Sequence, residues 1–162
     1  MAVPISDREL AEAEMEDVFG LAQQCMDQLK IADTTSHKDI LAILDDSIRF
    51  AQKNSQDYTD DVIKNIKMMA GALWGQVLVT ALEWEWRFME AAGGGKAYCV
   101  VSPNRAHMIY PFDFVEICIQ KANVDITIEL SFNMLVGGEI PDGEPDNWDN
   151  LMANVRHIVP PK

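Results

Sequence analysis

The chain has 162 residues, 48% hydrophobic and 24% charged, which is the composition of an ordinary globular domain able to bury a core without disulfides or a structural metal. Its 26 acids against 13 bases give a formal net charge of −13, a field that disfavours nucleic acid and anionic lipid and favours a basic partner. Residues Met1 to Asp7 lack the basic and apolar stretches of a secretory signal, and no apolar run approaches the length of a membrane span, so one cytoplasmic domain over residues 1–162 is expected, with neither membrane nor nucleic acid as partner.

Ser6 followed by Glu9 has capping-box spacing and predicts a first helix running to about Leu29. Its apolar stripe is Met15, Val18, Phe19, Ala22, Cys25, Met26 and Leu29, with Glu9, Glu16, Asp17 and Asp27 on the solvated side. Ser36 is the expected N-cap of a second helix, whose buried face is Ile40, Leu44, Ile48 and Ala51 and which ends near Asn54. Thr59, with Asp60 and Asp61 where the helix dipole favours negative charge, opens a third. From Ala70 to Leu82 that helix is apolar on most sides, which predicts a central position. Gly71 and Gly75 lie four apart on it, and each costs about 1 kcal/mol relative to Ala, so a close packing neighbour is expected at both.

After Leu82 the hydrophobic period changes to two. Trp84, Trp86 and Phe88 alternate with Glu83, Glu85 and Arg87, predicting a strand with one aromatic and one polar face. Gly93, Gly94 and Gly95 supply a hairpin loop, Ala97 to Ser102 the returning strand, and Ala106 to Tyr110 a third short strand. Asp113 and Glu116 repeat the capping-box spacing before a short helix ending near Lys121. Asp125 to Leu135 reads as a further helix, although Ile126, Thr127 and Ile128 also suit a strand. Gly137 to Pro145 is a loop of Gly, Pro and acids, after which Asp146 or Asn147 can cap a last turn through Trp148, Leu151 and Met152. Segregated helices and strands predict an α+β fold: about three N-terminal helices packed on a small antiparallel sheet of about three strands, followed by C-terminal helices.

Cys25, Cys99 and Cys118 are far apart and form no C-x-x-C, so they read as core residues. His37, His107 and His157 have no ligand at metal spacing and read as surface or capping residues. No metal or other cofactor is expected, and no nucleophile motif occurs. Gly93-Gly94-Gly95-Lys96 lacks the Ser or Thr and the helix of a phosphate loop. Adjacent acids such as Asp45 with Asp46, and Asp60 with Asp61, do not face one another on a helix. The charge itself is the stronger signal. Residues 1–29 hold seven acids and one base, and residues 122–149 seven acids and none. In the second segment Glu139, Asp142, Glu144, Asp146 and Asp149 surround Pro141, Gly143, Pro145 and Trp148, the composition of a binding edge with an exposed aromatic anchor and a charged rim.

Gly71 and Gly75 on a helix, then Trp84 and Trp86, then Tyr110-Pro111-Phe112 opening another helix, resemble a family of small uncharacterised bacterial proteins over about 50 residues. The resemblance implies helices, a hairpin and more helices, and no activity. The expected function is therefore that of a non-enzymatic protein-binding protein, most concretely an immunity-type inhibitor that covers a basic toxic effector. Its partner-binding residues are Glu139, Asp142, Glu144, Asp146, Trp148 and Asp149, with Glu9 and Glu16 from the first helix. Two competing expectations are an enzyme or small-ligand binder with a pocket near Trp84, Trp86, Tyr98 and Tyr110, and a structural or adaptor subunit of a larger assembly.

Overall fold

The computed structural model describes residues 3–155. Its first element corrects the capping box at Ser6. Residues Ser6–Glu9 are a strand, β1, paired antiparallel with Glu90 to Arg87. The extended form wins because it reaches partners a helix cannot. Asp7 meets Arg87 at 2.7 Å, and the Arg8 guanidinium lies over the Phe88 ring at 4.6 Å and donates to Glu14 at 2.7 Å. Helix α1 (Glu12–Gln28) starts only after this strand, and the carboxylate that reaches back to its cap is Glu14, which accepts from the Ala11 amide at 2.8 Å.

Helices α2 (His37–Asn54) and α3 (Asp60–Leu82) begin where their caps predict, with Ser36 Oγ accepting from Asp39 N and Thr59 Oγ1 from Val62 N, both at 3.2 Å. A short 3₁₀ turn (Ser55–Asp57) separates them. On α1 the buried stripe narrows to Val18, Ala22 and Cys25, and Phe19 is left 48% exposed.

Strands β2 (Glu85–Glu90), β3 (Lys96–Val101) and β4 (His107–Ile109) form the expected antiparallel meander. The sheet is nevertheless larger than three strands. Its order is β1-β2-β3-β4-β5, and β5 (Asp149–Asn150) lies parallel to β4, so the sheet is mixed. Both added strands are polar and carry no alternation that a sequence pattern could detect. Helix α4 (Pro111–Gln120) starts on a proline, which suits the first helical position because it has no amide to satisfy. Glu116 does not close a capping box there; it pairs with Lys67 of α3. Ile128–Val136 is helical (α5), and Leu151–Val155 forms α6, which begins after Trp148 rather than including it.

The main core lies between the helices and one face of the sheet. Phe112 occupies the space opened at Gly71, where a Cβ would meet its Cδ1 at 2.6 Å, and the Trp86 ring fills the space at Gly75. Trp86 and Phe112 stack at 5.8 Å, so Gly71, Gly75, Trp86 and Phe112 form one packing unit. The other face of the sheet is not simply polar. Met89, Cys99, Val101 and Met108 bury a second, smaller cluster there, and Trp148 covers it. All three cysteines are buried and unpaired, and burial pushes Cys25 up to about 11 and both Cys99 and Cys118 up to about 12.

Candidate functional site

The acidic loop leaves α5 through Gly137 and Gly138, the latter at a φ of 70° that a side chain rarely tolerates. It then runs along the turn between β3 and β4. That turn is shaped by Asn104, whose Oδ1 accepts from Ala106 N at 3.0 Å and from Ser102 Oγ at 3.1 Å. Three backbone bonds fasten the loop to it: Asp146 N to Asn104 O at 3.0 Å, Trp148 N to Arg105 O at 2.9 Å and Asp149 N to Ala106 O at 2.9 Å. His107 Nε2 lies 3.1 Å from the Pro141 carbonyl oxygen and adds a fourth tie.

Trp148 is 4% exposed, which corrects its expected role as an exposed anchor for a partner. Its backbone adopts φ 52°, a left-handed conformation uncommon for so bulky a residue, and its side chain packs into the cluster behind the sheet. The Arg105 guanidinium lies over the ring at 5.7 Å and donates to Asp7 at 3.2 Å. Trp148 thus anchors the loop to its own protein. Asp146 also has positive φ, at 61°. Non-glycine residues in this region cost about 1–3 kcal/mol each and persist where surrounding contacts over-determine the chain.

The two acidic segments differ in how far their charge is compensated. Asp7 pairs with Arg87 and Arg105, and Arg8, Tyr98 and the Ala11 amide together hold the Glu14 carboxyl down at about 2. Glu9 is 81% exposed and only 4.0 Å from Arg87, and Glu16 is exposed on α1. In the loop, Glu139, Asp142, Glu144 and Asp146 are exposed and Asp149 is half-buried, and among the described residues none of the five makes an ion pair. Glu9 stands on the edge strand opposite β5, four strand spacings away, or about 19 Å. The strand order therefore sets Glu9 apart from the carboxylates of the loop.

The four aromatics expected to line one pocket do not meet in one. Trp86 is packed against Gly75 and Phe112, while Tyr98 sits edge-on to Phe112 and donates its hydroxyl to Glu14 at 2.7 Å. Trp84 lines a cavity of about 370 Å³ beside the acidic loop, and Tyr110 lines a separate one of about 280 Å³ next to Asp113 and Met152. Tyr110 also donates to Met89 Sδ at 2.9 Å, and burial pushes its hydroxyl up to about 12.

Two features lay outside the sequence reading. Arg105, Asn104 and His107 position the loop although nothing in their local pattern marks them. Asp45, one of an adjacent acid pair, is 6% exposed in α2; its Oδ2 accepts from Glu129 N, in the first turn of α5, at 3.3 Å, and its Oδ1 has no partner. Burial pushes its carboxyl up to about 7. Among the described residues no group of three or more His, Cys, Asp or Glu is placed to hold a metal ion, and no helix is long and apolar enough to cross a membrane. His157 lies outside the described residues. Comparison with known protein families, curated proteins and solved structures finds no match to this chain.

Proposed function

We propose that this chain is a non-enzymatic protein-binding protein that uses the loop of residues 137–149 to cover a basic surface on its partner, most concretely an immunity-type inhibitor occluding a basic toxic effector. One observation carries the reading: Glu139, Asp142, Glu144, Asp146 and Asp149 make no ion pair among the described residues, yet their loop is held by three backbone bonds and the buried Trp148. Carboxylates gathered this way repel one another in the free protein, and a basic partner relieves that repulsion. Because the backbone is already ordered, binding loses less conformational entropy than it would with a free loop. Exposed charges of this kind act mainly on the rate of encounter and its salt dependence, and on rejection of acidic partners.

Capture on the immobilised chain, run beside the same chain carrying Asp142→Asn, Glu144→Gln, Asp146→Asn and Asp149→Asn, tests the proposal. A basic protein retained by the first, released by raised salt and lost from the second is the expected outcome. Retention of the same proteins by both chains would remove the loop from the account. Asn is itself tolerated at positive φ, so Asp146→Asn keeps the backbone it replaces.

A further inference from the structure

Helix α5 begins without a side-chain cap of its own. The Thr127 hydroxyl makes no capping bond and is buried without a partner, and the role falls to Asp45 of α2, whose Oδ2 accepts from Glu129 N at 3.3 Å. The same carboxyl leaves Oδ1 buried and unpartnered. Its surroundings give an ionised carboxylate little support. Arg49, on the same helix, attracts it but donates to Asp46 at 2.9 Å, while Asp46 and Glu129 repel it. From α4 it is faced by the Cys118 thiol, and Lys67 of α3 pairs with Glu116 of α4. A carboxyl buried among such neighbours holds its proton, in keeping with a value pushed up to about 7.

The chain on either side of α5 is tied down independently of Asp45. Before it, Gln52 Nε2 donates to the carbonyl oxygens of Cys118, Lys121 and Val124 at 2.8, 3.1 and 2.9 Å; after it, His107 Nε2 lies 3.1 Å from the Pro141 carbonyl oxygen. Between these points, among the described residues, the bond from Glu129 to Asp45 is the one hydrogen bond or ion pair that joins residues 125–140 to another element. The remaining attachment is the burial of Ile128, Phe132 and Met134. Residues 125–127, which are neither helix nor strand, and Gly138, at a φ of 70°, supply a joint at each end.

We infer that Asp45 is a pH-operated latch on residues 125–140: protonated, it seats α5 against α2, and when its proton passes to water α5 opens locally about the two joints while Gln52 and His107 hold the flanking chain. Because α5 leads into the acidic loop, opening loosens the entry to that loop and exposes the apolar face of the helix, whatever the loop binds. The sign follows from linkage. The carboxyl titrates at its ordinary value in the open form and higher in the closed one, so the closed form is favoured at low pH and loses ground as pH rises through about 7.

Native-state hydrogen exchange of the whole chain at pH 6 and pH 8, corrected for the pH dependence of free amides, tests the latch. The amides of Phe132, Met134 and Leu135 should be less protected than those of Leu73 and Val77 in α3 at both pH values, and their protection should fall about tenfold between pH 6 and pH 8 in the wild-type chain and stay constant in Asp45→Asn. Protection in α5 equal to that in α3 would mean that α5 opens only with the whole fold, and protection that is independent of pH in the wild type, or that falls as much in Asp45→Asn, would mean that Asp45 does not control it; each overturns the latch. Titration of the wild-type Asp45 carboxyl carbon by nuclear magnetic resonance decides the matter without a variant: its midpoint should match the loss of α5 protection, and a midpoint in the ordinary carboxylate range overturns the proposal.

Discussion

Asp45 and the two helical glycines show how single side chains decide local energetics in this fold. The Asp45 carboxyl has an unfolded value of 3.8 and a folded one of about 7, raised chiefly by burial and opposed by the Glu129 amide and Arg49. Folding therefore favours the protonated form. The stability this group contributes is complete below pH 3.8 and is lost as pH rises through about 7, where ionisation costs about 4 kcal/mol. Asp45→Asn keeps an acceptor for Glu129 N and cannot ionise. It should raise the melting temperature at pH 8 by about 5 °C or more while changing it little at pH 4, measured by thermal denaturation at both values. An equal shift at the two pH values would mean that ionisation of Asp45 is not involved. At Gly71, a methyl would gain about 1 kcal/mol of helix propensity but would meet Phe112 at 2.6 Å on its ring and at 3.0 Å on its backbone. Gly71→Ala should therefore destabilise the fold by about 1–3 kcal/mol in chemical denaturation, since the backbone of α4 has to move to admit it.

At the scale of elements, the loop of residues 137–149 depends on a tryptophan that its own composition disguises. Trp148→Ala removes the cover from Met89, Cys99, Val101 and Met108, and should cost about 3–5 kcal/mol. The amides of Asp146, Trp148 and Asp149 should then exchange hydrogen much faster than the central strands do, which native-state exchange would reveal. Exchange accelerated uniformly across the chain would contradict a local fastening role. The same loop shows what was legible from residues alone. The N-caps Ser36 and Thr59 and the close approaches at Gly71 and Gly75 were readable because cap, stripe and gap each lie within one helix. Strands β1 and β5 were not, because both are polar and their partners lie far along the chain. Ser6 and Glu9 carried a genuine local helix signal that Arg87, Phe88 and Glu14 overrode through tertiary contacts. Trp148, set among Asp, Asn, Gly and Pro, read as exposed because its burial is supplied by strands and a turn about forty to sixty residues earlier.

Across the whole molecule, the charge of −13 divides by degree of compensation. Near the N-terminus Asp7 and Glu14 are held by Arg87, Arg105 and Arg8, so part of that acidity is structural. The loop carboxylates make no such pairs among the described residues and project from the far edge of the sheet, where long-range attraction acts on an approaching partner. Salt should therefore weaken association far more than it weakens the fold. Screening shortens the reach of exposed charges to about 8 Å at physiological ionic strength, while the two buried clusters are apolar. The most direct test of the central claim is the association rate of the captured basic partner, measured by stopped flow over a range of ionic strength with the wild-type chain and with the variant carrying Asp142→Asn, Glu144→Gln, Asp146→Asn and Asp149→Asn. The account predicts a wild-type rate that falls steeply with salt, and a variant rate at least tenfold lower at low salt that converges with wild type at high salt, with thermal stability retained. Equal rates for the two chains at low salt would contradict it.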